Sequence, residues 1–494
     1  MPPDVLTRNS AQATKEEGRA ICPLCVDLDG TLLRSDLAWE CILSILKSRP
    51  LLLLRMPWWL LQGRACLKQR LAQNASIDIA RLPYRQEIID LIRERREAGS
   101  RTVLVTASIR ELATEIADAL KCFDAVHASE IGRNLKGSAK AKLLESEFGH
   151  GGFDYVGDAR ADLSVWKICR SAYVVGPQRL GRRAARVAEV ARIFPVKTAG
   201  FRTWVSALRG HHWFKNLLLF LPVLLAHKMD FRSLLSVGWG FLLFGMCASG
   251  LYVLNDLLDL HSDREHPWKH KRPFAAGDVA IVTGLLIGVV LLGVSLSCAL
   301  LVNPKFAAVL VLYAILTMWY SLRLKKVVIL DVFILSSFYT VRICAGAVIT
   351  STPLSQWFLS FSLFFFLSLA MAKRYSELLH AGELVKQGNS GRGYLPADRD
   401  LILNLGVATG FSAVVIFCLY VNSSSVAALY RTPQVLFLLA PVLAYWLSRL
   451  WLKAHRGELY DDPITLALRD RESYAVAVLC VVIMAISMLR VVRL

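Results

Sequence analysis

From about Lys215 to its end the chain is a succession of apolar runs near 20 residues long. A run of about 20 apolar residues matches the hydrocarbon core of a bilayer, roughly 30 Å thick. Every backbone N–H and C=O there must find its partner inside the protein, so the runs must be helices. Nine spans are expected, near 216–228 (a short one), 233–254, 279–302, 305–322, 327–349, 355–372, 401–421, 434–452 and 474–491. A hydrophobic content of 55% and a mean hydropathy of +0.44 agree with an integral membrane protein. The loops after spans 2, 4, 6 and 8 carry cationic clusters such as Lys269, Lys271 and Arg272, or Arg323, Lys325 and Lys326. The opposite loops carry few, namely Lys228, Arg232, Lys305 and Arg431. The positive-inside rule therefore places the N-terminus and the even-numbered loops on the cytosolic side of a bacterial inner or plasma membrane.

Two bulk features narrow the partners. The formal charge of +19 suits anionic headgroups or anionic substrates. Its cations are spread over short membrane loops with no basic-aromatic module, which argues against nucleic acid. The 11 cysteines are scattered without framework spacing, as a reducing compartment allows. Cys22-Pro-Leu-Cys25 runs into an expected buried strand and reads as structural.

The region before the spans is of another kind. Residues 1–20 are polar, of mixed charge and without a secretory pattern, so they are expected to be disordered and cytosolic. Then an apolar strand, Leu24-Cys-Val, ends in Asp27-Leu-Asp29-Gly30-Thr31. Arg101–Ser108 and Phe153–Asp158 read as further strands, with the helical segment from Lys136 between them. Such alternation predicts a parallel sheet with its site at the strand C-termini. The residues there form one chemical set. Asp27 can attack phosphorus. Asp29 can protonate the leaving oxygen and then activate water. Thr106 can hydrogen-bond the phosphoryl oxygens, and Lys140 (or Lys136) can neutralise them. Asp27, Asp158 and Asp162 can hold Mg²⁺. Asp-x-Asp-Gly-Thr followed by Gly157-Asp158-x-x-x-Asp162 resembles the haloacid dehalogenase (HAD) superfamily of phosphohydrolases. The resemblance implies an α/β HAD-like domain at 21–178, with a helical cap at about 37–98.

That cap contains Leu51–Leu61, an apolar stretch with Trp58 and Trp59, and Lys47, Arg49, Arg55, Arg64, Lys68 and Arg70 are interspersed around it. It is too short and interrupted to span a bilayer. It fits either an interfacial helix or an ordinary buried cap helix. Residues 179–200 read as a basic linker helix, through Arg179, Arg182, Arg183, Arg186 and Arg192.

Between spans 2 and 3 lies Asn255-Asp256-Leu-Leu-Asp259-Leu-His261-Ser-Asp263-Arg264-Glu265-His266-Pro-Trp-Lys269-His-Lys271-Arg272-Pro273. Its acids fall at i, i+3 and i+7, which puts several oxygens on one helical face. Crowded carboxylates repel unless a cation sits between them, and oxygen-only ligands point to Mg²⁺ with substrate phosphates. Asn255, Asp256, Asp259 and Asp263 are thus the expected ligands, and Arg264, His266, Lys269 and Arg272 the expected phosphate contacts. Lys215 and Asn216, Arg323, and Lys373-Arg374-Tyr375 belong to the same side. Asp331 and Arg342 lie inside span 5 and are functional candidates by their depth.

The Asn-Asp-x-x-Asp-x-x-x-Asp motif, the following His-Pro-x-Lys-x-x-Arg-Pro and the nine-span layout resemble the UbiA superfamily of intramembrane prenyltransferases, over residues 201–494. Members that prenylate aromatic rings usually carry a second acidic motif after span 6. Here that place holds Lys373-Arg374-Tyr375-Ser-Glu377. The chain looks most like the branch that transfers phosphoribose to decaprenyl phosphate. That resemblance implies phosphoribosyl diphosphate (PRPP) and a polyprenyl phosphate as substrates, with Asp256 and Asp259 catalytic through Mg²⁺. It implies diphosphate release, and it suggests that the HAD-like domain dephosphorylates the lipid-linked product. Homo-oligomerisation stays open, as do an aromatic-acceptor prenyltransferase and a lipid-binding or transport protein with a regulatory HAD domain.

Overall fold

The computed structural model describes residues 22–130, 135–196, 199–266, 268–380, 393–427, 429–459, 463–467 and 469–488. Residues 1–20, expected to be disordered, lie outside the described residues, as do two cations of the loop after span 6, Lys386 and Arg392. The chain forms two compact units, Met1–Leu208 with Tyr252–Gly288, and Arg209–Leu251 with Val289–Leu494.

The first unit is built on a parallel sheet of β1 (Leu24–Val26), β2 (Thr102–Ile109), β3 (Ala125–Ser129), β4 (Asp154–Gly157), β5 (Ser171–Val175) and β6 (Glu189–Phe194), in the order β3-β2-β1-β4-β5-β6. Alternate residues serve opposite faces. Leu24 and Val26 join Leu104, Ile88, Ile92 and Ile116 in one core, while Cys25 joins Val103, Val105, Tyr155 and Trp166 in the other. Because β1 pairs with both β2 and β4, the strand order reverses beside it, where open α/β sheets place their sites.

Two expectations are corrected here. Residues 179–200 are not one linker helix. Gln178–Ala184 is a short helix and Glu189–Phe194 is the sixth strand, paired with β5. Val190 and Ile193 pack against one core and Phe194 enters the other, and the Arg192 guanidinium lies over the Phe194 ring at 4.7 Å. The arginine count hid that pattern. The cap is also shorter than expected. A bridge between Leu33 and Tyr84 closes it, and helix Gln86–Glu97 packs Ile88, Leu91 and Ile92 into the sheet core. The cap itself comprises helices Leu37–Ser48, Met56–Leu61 and Arg64–Asn74 with the 3-10 segment Pro50–Arg55. Cys41, Ile45, Trp59 and Leu71 form its small core.

The second unit is helical. The described residues of the chain hold eight helices long and apolar enough to cross a membrane, from Phe231–Leu258 to Arg471–Met488. The short first span expected near 216–228 is instead a 3-10 segment, Gly210–Phe220, followed by the five-residue helix Leu221–Leu225. Pro222 lacks the N–H that a longer helix would use. This segment packs tightly on helix Leu330–Ile349: a Cβ on Gly346 would lie 2.0 Å from the Leu219 carbonyl oxygen. Helix Gln356–His380 runs past its apolar stretch, so Lys373, Arg374 and Tyr375 are helical rather than in a loop. No glycine or proline interrupts it before His380.

Candidate functional site

The three strand ends around the switch point converge on one cluster. Asp27 follows β1, Thr106 lies in β2 and Asp158 follows β4. Oxygens of Asp27, Asp158 and Asp162 all lie within 4.8 Å of one another, the one such acidic group among the described residues. Gly30 is required beside them. Its φ is +76°, and a Cβ there would lie 2.2 Å from Asp158 Oδ2.

Lys140, 2% exposed, donates to Asp27 Oδ1 at 2.8 Å and to the Tyr155 hydroxyl at 2.9 Å. The Tyr155 hydroxyl in turn donates to Asp162 Oδ1 at 3.0 Å. Lys136 is exposed, so Lys140 is the lysine of this site. Burial pulls the Lys140 ammonium down, but Asp27 and Asp162 outweigh it and hold it above its ordinary value. Asp162 Oδ2 accepts the backbone N–H groups of Asp158 at 3.2 Å and Ala159 at 3.0 Å, which fixes the turn.

Asp29 accepts the Leu37 N–H at 2.9 Å and the Ser108 hydroxyl at 2.5 Å. Burial, then the nearby Asp36 charge, pushes its carboxyl up to about 6, where a carboxylic acid can donate a proton near neutrality. Burial and the charge of Asp27 push Asp158 up to about 7. Asp162 is raised by burial and Asp27 as well. Buried carboxylates that strain to stay ionised side by side form an oxygen-only donor set for a hard divalent cation, and Mg²⁺ fits it. Thr106 Oγ1 accepts the Ser108 N–H at 2.9 Å. Ser108 and Tyr155 were not singled out from the sequence, although Ser108 stood two residues from Thr106 at the same strand end.

The acidic segment lies in the same unit. Asn255 and Asp256 occupy the last turn of helix Phe231–Leu258, Asp259 the break after it, and Asp263 the short helix Leu260–Glu265. Asp256 and Asp263 approach one another across the break, and both are 3% exposed. Arg272 Nη1 bridges them, at 3.2 Å from Asp256 Oδ1 and 2.6 Å from Asp263 Oδ2. Asp259 leans instead toward Lys47 of the cap, at 3.7 Å. Lys47 also donates to Ser262 at 3.1 Å.

Arg264, expected to meet a phosphate, forks onto Glu40 of the cap. Its Nη2 reaches Glu40 Oε1 at 2.7 Å, its Nη1 reaches Oε2 at 3.1 Å, and its Nε donates to the Ala275 carbonyl at 3.2 Å. With side-chain exposures of 5% and 0%, this is a buried pair. Leu43 of the cap packs with Val253, Leu257, Leu260, Phe274 and Val279 around it. His266 is exposed and Lys269 half-buried.

The second unit groups other expected contacts. Lys215 Nζ lies 3.1 Å from the Tyr339 hydroxyl. Arg342 donates to Asn216 Oδ1 at 3.0 Å, to the Tyr313 hydroxyl at 3.1 Å and to the Phe338 carbonyl at 2.6 Å. The Asn216 amide nitrogen is buried and has no hydrogen-bond partner among the described residues. Arg374 is 2% exposed and is bound by Asp331 and Glu377, while Tyr394 also donates to Asp331. The Tyr375 hydroxyl meets His455 Nδ1 at 3.1 Å. Arg374 and Tyr375 therefore brace the helix end, whereas Lys373 is half-buried and Arg323 exposed.

Comparison with known proteins finds two families along the chain. Residues 216–466 match the UbiA prenyltransferase family, and residues 24–167 match the haloacid dehalogenase-like hydrolases. The uncharacterized protein y4nM of Sinorhizobium fredii is 40% identical over 462 residues, 92% of this chain and 89% of its own length. Nodulation protein NoeC of Azorhizobium caulinodans is 37% identical over 276 residues, 55% of this chain and 89% of its own. The decaprenyl-phosphate phosphoribosyltransferase of Mycobacterium tuberculosis is 38% identical over 179 residues, 35% of this chain and 59% of its own. The chain belongs to the UbiA prenyltransferase family and carries a haloacid dehalogenase-like domain at its N-terminal end.

Proposed function

We propose that the membrane half transfers 5-phosphoribose from PRPP to a polyprenyl phosphate with release of diphosphate, and that the HAD-like half removes the 5-phosphate from the lipid-linked product. The observation that carries this reading is the assembled phosphomonoester centre, Asp27, Lys140, Asp158 and Asp162, in one chain with a UbiA-type bundle. Ribosyl transfer leaves a phosphomonoester on ribose C5, the group such a centre takes. Joining the two sites raises the effective concentration of the second near the product of the first. Support for phosphoribose as the transferred group comes from the Mycobacterium tuberculosis relative, and from Lys373 where aromatic-acceptor enzymes carry acids.

In the transfer half, Asn255, Asp256, Asp259 and Asp263 would hold Mg²⁺, which would screen the charge on the departing diphosphate. Binding it there asks Arg272 to release Asp256 and Asp263 and turn to the diphosphate. The lipid phosphate needs no general base, because its oxygen is already anionic. Lys215, Asn216, Arg323, Arg342 and Lys373 would orient the phosphates. In the hydrolase half Asp27 attacks phosphorus, and Asp29 protonates the leaving ribose oxygen and then activates water on the aspartyl-phosphate. Lys140 and Tyr155 hold Asp27 and Asp162 in place. Mg²⁺ between Asp27, Asp158 and Asp162 would offset the phosphoryl charge. The reading puts both active sites on the cytoplasmic side.

The test is to incubate the purified full-length protein with PRPP and Mg²⁺, with and without polyprenyl phosphate, and to record diphosphate and the mass of the lipid. Diphosphate release that depends on the lipid, with a lipid product gaining one ribose and no extra phosphate, is expected. Diphosphate release without the lipid acceptor, or none with it, overturns the transfer reading. A product that keeps the 5-phosphate overturns the hydrolase reading alone.

A further inference from the structure

Among the described residues from Cys22 to Gly200, the large apolar side chains exposed to solvent are Leu51, Leu54, Trp58, Leu60 and Leu61. All five fall in one stretch of the cap, and the rest of the sheet domain shows none. Their exposures are 78%, 77%, 64%, 51% and 81%. Leu51, Leu54, Trp58 and Leu61 follow one another at steps of three and four residues, so they share one face of the helical segment Pro50–Leu61. The opposite side, Leu52, Leu53, Met56 and Trp59, packs onto Cys41, Ile45 and Leu71. The segment thus carries an apolar face on each side, and only one of them is covered.

Charge and shape around the uncovered face agree. Between Glu40 and Asp78 the chain holds no Asp or Glu, and it holds six cations: Lys47, Arg49, Arg55, Arg64, Lys68 and Arg70. Arg55 and Arg70, with Gln62, Asn74 and Trp58, line a cleft of about 570 Å³ beside the apolar face. Leucines and a tryptophan ringed by arginines suit the boundary between acyl chains and anionic headgroups. A chain with a formal charge of +19 is a poor partner for a second copy of itself at a patch already free of acids. The protein's own spanning helices keep a bilayer permanently within its surroundings.

We propose that residues 50–61 form an anionic-lipid docking surface of the cap. Leu51, Leu54, Trp58 and Leu61 enter the acyl boundary of a leaflet, and Arg55 and Arg70 bind a lipid phosphate in the adjoining cleft. The docking holds the HAD-like domain on the membrane surface independently of what either active site turns over.

The experiment places the photoreactive residue p-benzoylphenylalanine at position Leu54, Leu61 or, as a control, Glu115, an exposed position on helix Arg110–Leu120. The full-length protein is held in nanodiscs of phosphatidylglycerol and phosphatidylethanolamine, irradiated and weighed by mass spectrometry. Lipid adducts are expected at Leu54 and Leu61 and not at Glu115. Their yield should fall when phosphatidylcholine replaces phosphatidylglycerol. In an L51E/L61E background the yield at Leu54 should drop by about tenfold or more, since each burying leucine contributes roughly that factor in partition. Equal lipid yields at all three positions, adducts to another copy of the chain, or an unchanged yield in L51E/L61E each overturn the proposal.

Discussion

Asp27, Asp158 and Asp162 meet oxygen to oxygen at strand ends, within 4.8 Å of one another. Asp256 and Asp263 meet through a guanidinium, that of Arg272. The first cluster is crowded by its scaffold: Gly30 lets the chain turn against Asp158, and Tyr155 with Lys140 ties Asp27 to Asp162. Lys140 brings one positive charge to three carboxylates, and Asp158 is pushed up to about 7 by burial and by Asp27. The second cluster is already balanced by the protein's own cations, Arg272 for Asp256 and Asp263, Lys47 for Asp259. On the proposed reading the first is assembled in advance of a cation, whereas the second would have to trade an arginine for one.

Breaking the first site should give the largest effect. Asp27→Asn removes the attacking carboxylate, so hydrolysis of the phosphomonoester should fall by about 10³-fold or more. Ribosyl transfer should continue, and mass spectrometry should show the 5-phosphorylated lipid accumulating. Next comes the pair that anchors the second site. Glu40→Ala leaves Arg264 buried without its carboxylate, and should cost about 3–5 kcal/mol of stability by denaturant titration. The double variant Glu40→Leu with Arg264→Met should regain most of that stability, because an apolar pair can replace a buried ionic one. If transfer stays low in it, the pair positions the acidic segment; full recovery would reduce the pair to a stability role.

The contrast in cation demand is a smaller effect and tests the comparison directly. The Mg²⁺ concentration for half-maximal activity should be higher for transfer than for phosphomonoester hydrolysis, measured on one preparation with separate substrates. Asp256→Ala should lower transfer by about 10²-fold or more while sparing hydrolysis. Equal Mg²⁺ requirements would erase the difference between the two clusters. The smallest effect belongs to Ser108→Ala. Losing one hydrogen bond to Asp29 is worth about 1 kcal/mol, so hydrolysis should drop roughly fivefold and its pH profile should shift. An unchanged rate and profile would remove Ser108 from the site.

The sequence made these sites unequally legible. Asp27, Asp29, Asp158 and Asp162 are spaced by strand ends that short motifs capture, so their convergence could be anticipated. Ser108 and Tyr155 act through other side chains, and no local pattern marks such a role. The arginines after Gln178 masked β6, because its apolar residues serve both cores across a register shift and so do not alternate simply. Arg374 and Arg264 read as free cations for phosphate, yet both are buried against carboxylates distant in sequence, Asp331 and Glu40. A charge near a motif is visible in the sequence; its counter-ion is a tertiary fact. The first span likewise looked like a short helix, and only the contact of Leu219 with Gly346 shows why it stays close and tightly wound.

Helix Leu37–Ser48 touches both chemistries along its length. Its first N–H caps Asp29, Glu40 one turn on clasps Arg264, and Lys47 at its far end reaches Asp259 and Ser262. A rod fastened at three heights cannot swing as a lid. The outer limb of the cap, Pro50–Asn74, is held separately, by the Trp59 cluster and by Lys68 on the Ala107 carbonyl. In that arrangement the root of the cap is also the footing of the neighbouring acidic segment, so one helix braces both.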